Sequence, residues 1–166
     1  MPRRRRASRT ATFHAAWYAA TLSVPMSDPK VDLLKRVPLF AHCSRASLES
    51  VMANTDEVEV EAGRVLINQG APSDSFYVML EGEAEVTIDG KLRSTMRPGD
   101  FFGEISMLDR GPATGTVTTT KPSRMMVMSH MQFRDAIKGN QDLLFQVLTA
   151  VAERLRADVT AGLKTR

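Results

Sequence analysis

The chain of 166 residues has a single cysteine, Cys43, and only 6% aromatic residues. One cysteine makes neither an internal disulfide nor a thiolate metal cluster. Packing must therefore hold the fold, as in proteins of a reducing compartment, and a cytoplasmic location is expected. Long apolar runs are also missing. The longest mild stretch, Ala15 to Val24, falls well short of the roughly 18 residues a spanning helix requires, and no membrane association is expected. The three histidines, His14, His42 and His130, are scattered without partners at ligand spacing, so no metal and no cofactor are expected. Ser106 lacks both a G-x-S-x-G context and a histidine base. With no catalytic constellation, the chain does not read as an enzyme.

Acidic residues are absent from one region. Residues 1–25 carry Arg3, Arg4, Arg5, Arg6 and Arg9 and no acid, a charge of +5, whereas the remaining 141 residues hold 17 bases and 19 acids, 17 − 19 = −2. The body thus has no excess of positive charge with which to neutralise a phosphate backbone, and direct nucleic-acid contact is not expected. Trp17, Tyr18 and Thr21 interrupt the apolar part of the N-terminal segment, which also lacks an A-x-A end, so it does not read as a leader. Residues 1–25 are read as a disordered extension or a start placed too early, and residues 26–166 as one domain. The 43% apolar content supplies one core of ordinary size.

Along that domain the hydrophobic period changes twice. Val31, Leu34 and Val37, and then Leu48, Val51 and Met52, predict two short helices. From Val58 the period is two, and glycines at 63, 70, 82, 90, 99, 103, 111 and 115 separate short apolar runs. About eight strands in a sandwich or barrel follow from that spacing. Asp89-Gly90 marks a hairpin, because both positions must tolerate positive φ. After Ser129 the helical period returns, first to Gly139 and then from Asn140, whose side chain suits a helix cap. Leu143, Leu144, Val147, Leu148, Val151 and Leu155 form a stripe, with Glu153, Arg154, Arg156 and Asp158 expected to face outward. No room remains beyond it for a DNA-reading helical domain, so a complete transcription regulator is not expected. The methionines at 125, 126, 128 and 131 read as core packing, and Cys43 as a structural thiol.

One segment carries the chemistry: Pro98-Gly-Asp100-Phe-Phe-Gly103-Glu104-Ile105-Ser106-Met-Leu-Asp-Arg110-Gly-Pro112-Ala113-Thr114-Gly-Thr-Val117. It resembles the phosphate-binding cassette of cyclic nucleotide-binding domains. Gly63-x-x-Leu66-x-x-x-Gly70, Phe76-Tyr77-Val78 and Glu81-Gly82 are similar to the same family, and the likeness runs over about residues 31 to 158. The resemblance implies a mainly β fold with flanking helices, a double-stranded β-helix or jelly-roll-like β-roll. It also implies adenosine 3′,5′-cyclic monophosphate (cAMP), or another cyclic nucleotide, as ligand. Such a ligand presents a delocalised phosphate charge, a ribose 2′-hydroxyl and a largely apolar base. A short helix at Glu104-Ile105-Ser106 would aim unpaired N–H groups at the anion, with Gly103 allowing the ligand close to the backbone. By the resemblance, Glu104 accepts a hydrogen bond from the 2′-hydroxyl and Thr114 meets the phosphate.

The chain departs from this pattern at Ala113, where the family places the arginine that pairs with the phosphate. Truncating one partner of a buried charge pair costs about 2–5 kcal/mol, about 30-fold to several thousand-fold in affinity. Arg110, three residues upstream, is the candidate substitute cation; otherwise it lies in solvent and Glu104 serves loop amides or a nearby arginine. Leu144, Leu148, Val151 and Leu155 are the expected lid. The resulting expectation is a stand-alone cyclic nucleotide sensor that signals through movement of its C-terminal helices to a protein partner or a homodimer. The alternative is a structural or protein-interaction module of the same fold that binds no nucleotide.

Overall fold

The structure, a computed structural model, describes residues 29–163. The reading of residues 1–25 as an extension or an early start lies outside the described residues. Two short helices open the domain, α1 (Pro29–Lys35) and α2 (Arg45–Ala53), with a 3-10 turn at Pro38–Phe40 between them. The Ser44 hydroxyl starts α2 by accepting from the Ser47 N–H at 3.1 Å. Eight strands follow: β1 (Asp56–Val60), β2 (Val65–Ile67), β3 (Ser75–Glu81), β4 (Ala84–Ile88), β5 (Lys91–Met96), β6 (Phe101–Phe102), β7 (Thr116–Thr119) and β8 (Ser123–Ser129). A helix α3 (Glu104–Asp109) lies between β6 and β7, and α4 (His130–Lys138) and α5 (Gln141–Leu163) close the order.

The strands form two four-stranded antiparallel sheets, β1-β8-β3-β6 and β2-β7-β4-β5. This is the roll expected from the sequence. The β4–β5 hairpin turns at Asp89 (φ 51°) and Gly90 (φ 74°), as two positive-φ residues allow. β6 has only two residues, too few to show any period, and was not expected.

β3 is buried on both faces, which is why Phe76 to Leu80 reads as an unbroken apolar run rather than an alternation. Phe76, Val78 and Leu80 point to the helices, where they join Leu34, Phe40, Leu48, Phe133 and Val147. Met79 points the other way, between the sheets, with Ala84, Met96, Phe102, Val117 and Met125. Met125, Met126 and Met128 are all buried, serving both clusters. Asn140 caps α5 as expected, its Oδ1 accepting from the Leu143 N–H at 3.1 Å, while its Nδ2 lies 3.2 Å from Cys43 Sγ. Burial pushes the Cys43 thiol above its ordinary pKa, against the lowering effect of the Asn140 hydrogen bond.

Candidate functional site

The Pro98-Gly99-Asp100 turn is fastened to β3 by two hydrogen bonds at 2.9 Å, Gly99 N–H to Met79 O and Met79 N–H to Asp100 O. After β6 the chain turns sharply at Gly103, with φ +90°. A Cβ there would lie 2.4 Å from the Ser75 carbonyl oxygen, so the backbone of β3 demands this glycine, whereas the sequence pointed to a ligand's approach. α3 leaves from this corner. The N–H groups of Glu104, Ile105 and Ser106 donate to no group among the described residues.

Beneath α3 lies a cavity of about 540 Å³, within the range of about 300–1,000 Å³ for small-molecule sites. The second sheet gives it an apolar wall of Ile67, Val86, Ile88, Met96 and Val117. Gly103, Glu104, Ile105, Ser106, Ala113 and Thr114, six of the residues expected from the sequence, meet on its opposite side. Arg110 does not join them. It ends α3 in the left-handed conformation at φ 64°, is exposed, and does not line the cavity. Ala113 is buried with both backbone groups engaged: its N–H donates to Ala71 O at 2.9 Å and its O accepts from Gly70 N–H at 2.8 Å.

Glu104 is 1% exposed, an uncommon state for a carboxylate. Its partner is Arg154 of α5, whose Nη1 donates to Glu104 Oε1. The same guanidinium donates through Nη2 to Phe101 O at 2.6 Å and lies 5.1 Å from the centre of the Phe101 ring. A second ion pair, Arg93 to Asp158, ties β5 to α5. The expectation that Arg154 faces outward is therefore corrected, whereas Asp158 is exposed as expected and borders the cavity at its rim.

The lid expectation is corrected in the same way. Leu148 and Leu155 are exposed, Leu144 and Val151 are half-buried, and none of the four lines the cavity; α5 covers it with Arg154, Ala157 and Asp158. The helix has two stripes where one was read. Leu143, Val147, Ala150 and Arg154 are buried or half-buried along one face, which Ala157 continues at the exposed edge of the cavity, whereas Phe145, Leu148, Leu155 and Val159 are exposed on the other. An arginine seven residues after the buried Val147, on its face of the helix, was the signal for Arg154. Among the described residues no group of His, Cys, Asp or Glu side chains is arranged to hold a metal ion, and no helix is long and apolar enough to cross a membrane.

A family model described as cyclic nucleotide-binding domain matches residues 57–140, half of the chain. A CRP-like cAMP-activated global transcriptional regulator of Mycobacterium tuberculosis is 28% identical over 130 residues, covering 75% of this chain and 58% of the relative. A cAMP-dependent protein kinase regulatory subunit of Aspergillus fumigatus is 29% identical over 114 residues, 67% of this chain and 27% of the relative. The chain thus spans little more than half of the first relative's length and about a quarter of the second's. The Thermus thermophilus catabolite activator protein has the same fold, with a TM-score of 0.69 at 20% identity over 77% of this chain and 63% of that one. The N-terminal domain of a transcriptional regulator from Streptomyces coelicolor A3(2) gives 0.60 at 30% identity, over 78% and 94%. With the two-sheet roll and the glycine-glutamate corner inside the matched segment, the chain belongs to the cyclic nucleotide-binding domain family.

Proposed function

We propose that the chain is a regulatory domain that takes a cyclic nucleotide, cAMP in the first instance, into the cavity beneath α3 and reports its presence through α5. The observation that carries this reading is Glu104: a carboxylate buried to 1% on the lining of a cavity of about 540 Å³, inside the family-matched segment. Burying a carboxylate is costly unless it gains strong partners. A ribose hydroxyl would donate a second hydrogen bond to it, and Thr114, with the uncommitted amides of α3, would meet the phosphate. The wall of Ile67, Val86 and Met96 suits an apolar base. Because Arg154, Ala157 and Asp158 close one side of the cavity, a ligand that contacts them differently in two helix positions shifts the balance between those positions.

The outer face of α5 offers a place for the output. Phe145, Leu148, Leu155 and Val159 are exposed at spacings of three, seven and four, with Ala152 completing a heptad seam. A second copy of the chain, presenting the same seam, is the partner this pattern fits.

Calorimetric titration with cAMP and with its guanosine counterpart tests the nucleotide reading. Wild type should bind at least one of them, and Glu104→Ala should weaken that binding by at least about 10-fold, the worth of a charged hydrogen bond. Ala113, buried and carrying no cation, favours the second reading, a module that binds no nucleotide. Silence of wild type up to millimolar ligand, with binding restored by Ala113→Arg, would establish that alternative.

A further inference from the structure

An anion entering this cavity meets an electrostatic obstacle. Five charged side chains line it: Arg93, Arg154, Asp100, Glu104 and Asp158. Acids outnumber bases, so a phosphate is repelled unless one guanidinium is directed at it. The cassette loop brings none, since Ala113 is neutral and Arg110 lies outside the cavity. Asp100 is occupied with the Arg97 N–H at 2.8 Å. Arg93 and Asp158 neutralise each other at an exposed rim, their side chains 40% and 57% accessible.

Arg154 is placed differently. Its guanidinium is held by the buried Glu104, by the Phe101 carbonyl and by the Phe101 ring. Of the five N–H donors of an arginine, two are used, and three remain. A group already fixed on three sides loses little further freedom when a ligand arrives. We infer that Arg154 is the cation that receives the phosphate of a singly charged cyclic nucleotide in this cavity, with Glu104 as its orienting partner; this rests on the nucleotide reading above. The phosphate contact then resides on the last helix itself, and ligand capture and the position of α5 are linked through one side chain. With one guanidinium that offers three unused donors and already shares its charge with Glu104, the cavity suits a monoanionic cyclic phosphate better than a doubly charged open monophosphate.

The test compares two probes that share base and ribose but differ in charge, cAMP and adenosine. Each is titrated into wild type, Ala113→Arg, Arg154→Ala, Arg154→Lys and Arg154→Ala combined with Ala113→Arg, with thermal melts to show that each variant is folded. Expected is a loss of at least about 30-fold in cAMP affinity for Arg154→Ala with adenosine affinity unchanged. Arg154→Lys should fall between, and Ala113→Arg should restore cAMP binding to Arg154→Ala. An equal loss for both probes would reduce Arg154 to a helix clamp and overturn the inference while leaving nucleotide binding intact, as would undiminished cAMP binding by Arg154→Ala. If Arg154→Ala does not fold, the ratio of the two affinities in Arg154→Lys decides: unchanged from wild type, it overturns the inference. Wild type silent while Ala113→Arg alone binds would overturn the inference and establish the nucleotide-free module. Silence of both would remove the nucleotide reading as well.

Discussion

The two faces of the β1-β8-β3-β6 sheet are closed by different means. On the helix side, hydrocarbon fills the space: the Phe76 ring packs at a tilt against Phe133 with ring centres 4.9 Å apart and against Phe101 at 5.7 Å, with Leu34, Leu48 and Val147 around them. Between the sheets the packing stops short, and Met96, Phe102, Ala113 and Val117 border a cavity. α5 reaches both regions. Toward the first it offers Leu143 and Val147, and toward the second Arg154, Ala157 and Asp158. The roll is solid where the covering helix donates apolar side chains and hollow where it donates a methyl group and charges. Room for a ligand is thus created by what the last helix withholds.

The sharpest way to break this comparison is to remove comparable bulk from each region. Met128→Ala, at 2% exposure in the filled cluster, should cost about 3–5 kcal/mol in urea unfolding, whereas Met96→Ala at the cavity wall should cost about 2 kcal/mol, because its side chain already lacks neighbours on one side. Equal losses would mean that the side chain at the cavity wall is packed as closely as the one in the filled cluster, and the contrast would fail.

A smaller effect separates β1, β8 and β3 from the site. Arg124 donates to Glu57 at 2.6 Å and also to Glu81, joining β1, β8 and β3, and this hydrogen bond holds the Glu57 carboxyl below its ordinary pKa, with Lys30 helping at 3.6 Å. A carboxylate lowered in the folded state contributes stability that is present above its unfolded pKa, about 4.3, and is lost as pH falls through the folded value. Glu57→Gln should therefore lower stability by less than about 1 kcal/mol at neutral pH and flatten the decline below pH of about 4. An unchanged acid profile in that variant would show that the pair contributes nothing.

The smallest stability change is expected on the outward face of α5. Leu155, 63% exposed, should tolerate Leu155→Glu within about 0.5 kcal/mol for an isolated chain. If a second copy covers this face, light scattering should show a dimer for wild type and a monomer for the variant. A monomer for both would remove the self-association reading.

Much of the roll was legible because its instructions are local. Alternation, glycine spacing and the Asp89-Gly90 pair each act over a few residues, and each strand read from them appears in the structure. The residues of the cassette segment were legible as a group because they are contiguous around a single turn. Arg110 was misplaced because the left-handed cap at the end of α3 sends it away from the cavity. The lid was misassigned because α5 is apolar on two faces, and periodicity alone does not say which one docks.

By itself, then, the order of residues determined where the chain turns and where it alternates, since both are settled by backbone sterics within a few bonds, whereas the glycine before Glu104 is required by the Ser75 carbonyl that the fold brings against it. Only the folded arrangement decided that Arg154, fifty residues beyond Glu104, is the cation that meets it. That choice depends on the rotation of α5 about its own axis. Burial of Leu143 and Val147 against the helical cluster sets the rotation, and Arg154 is carried inward on the same face.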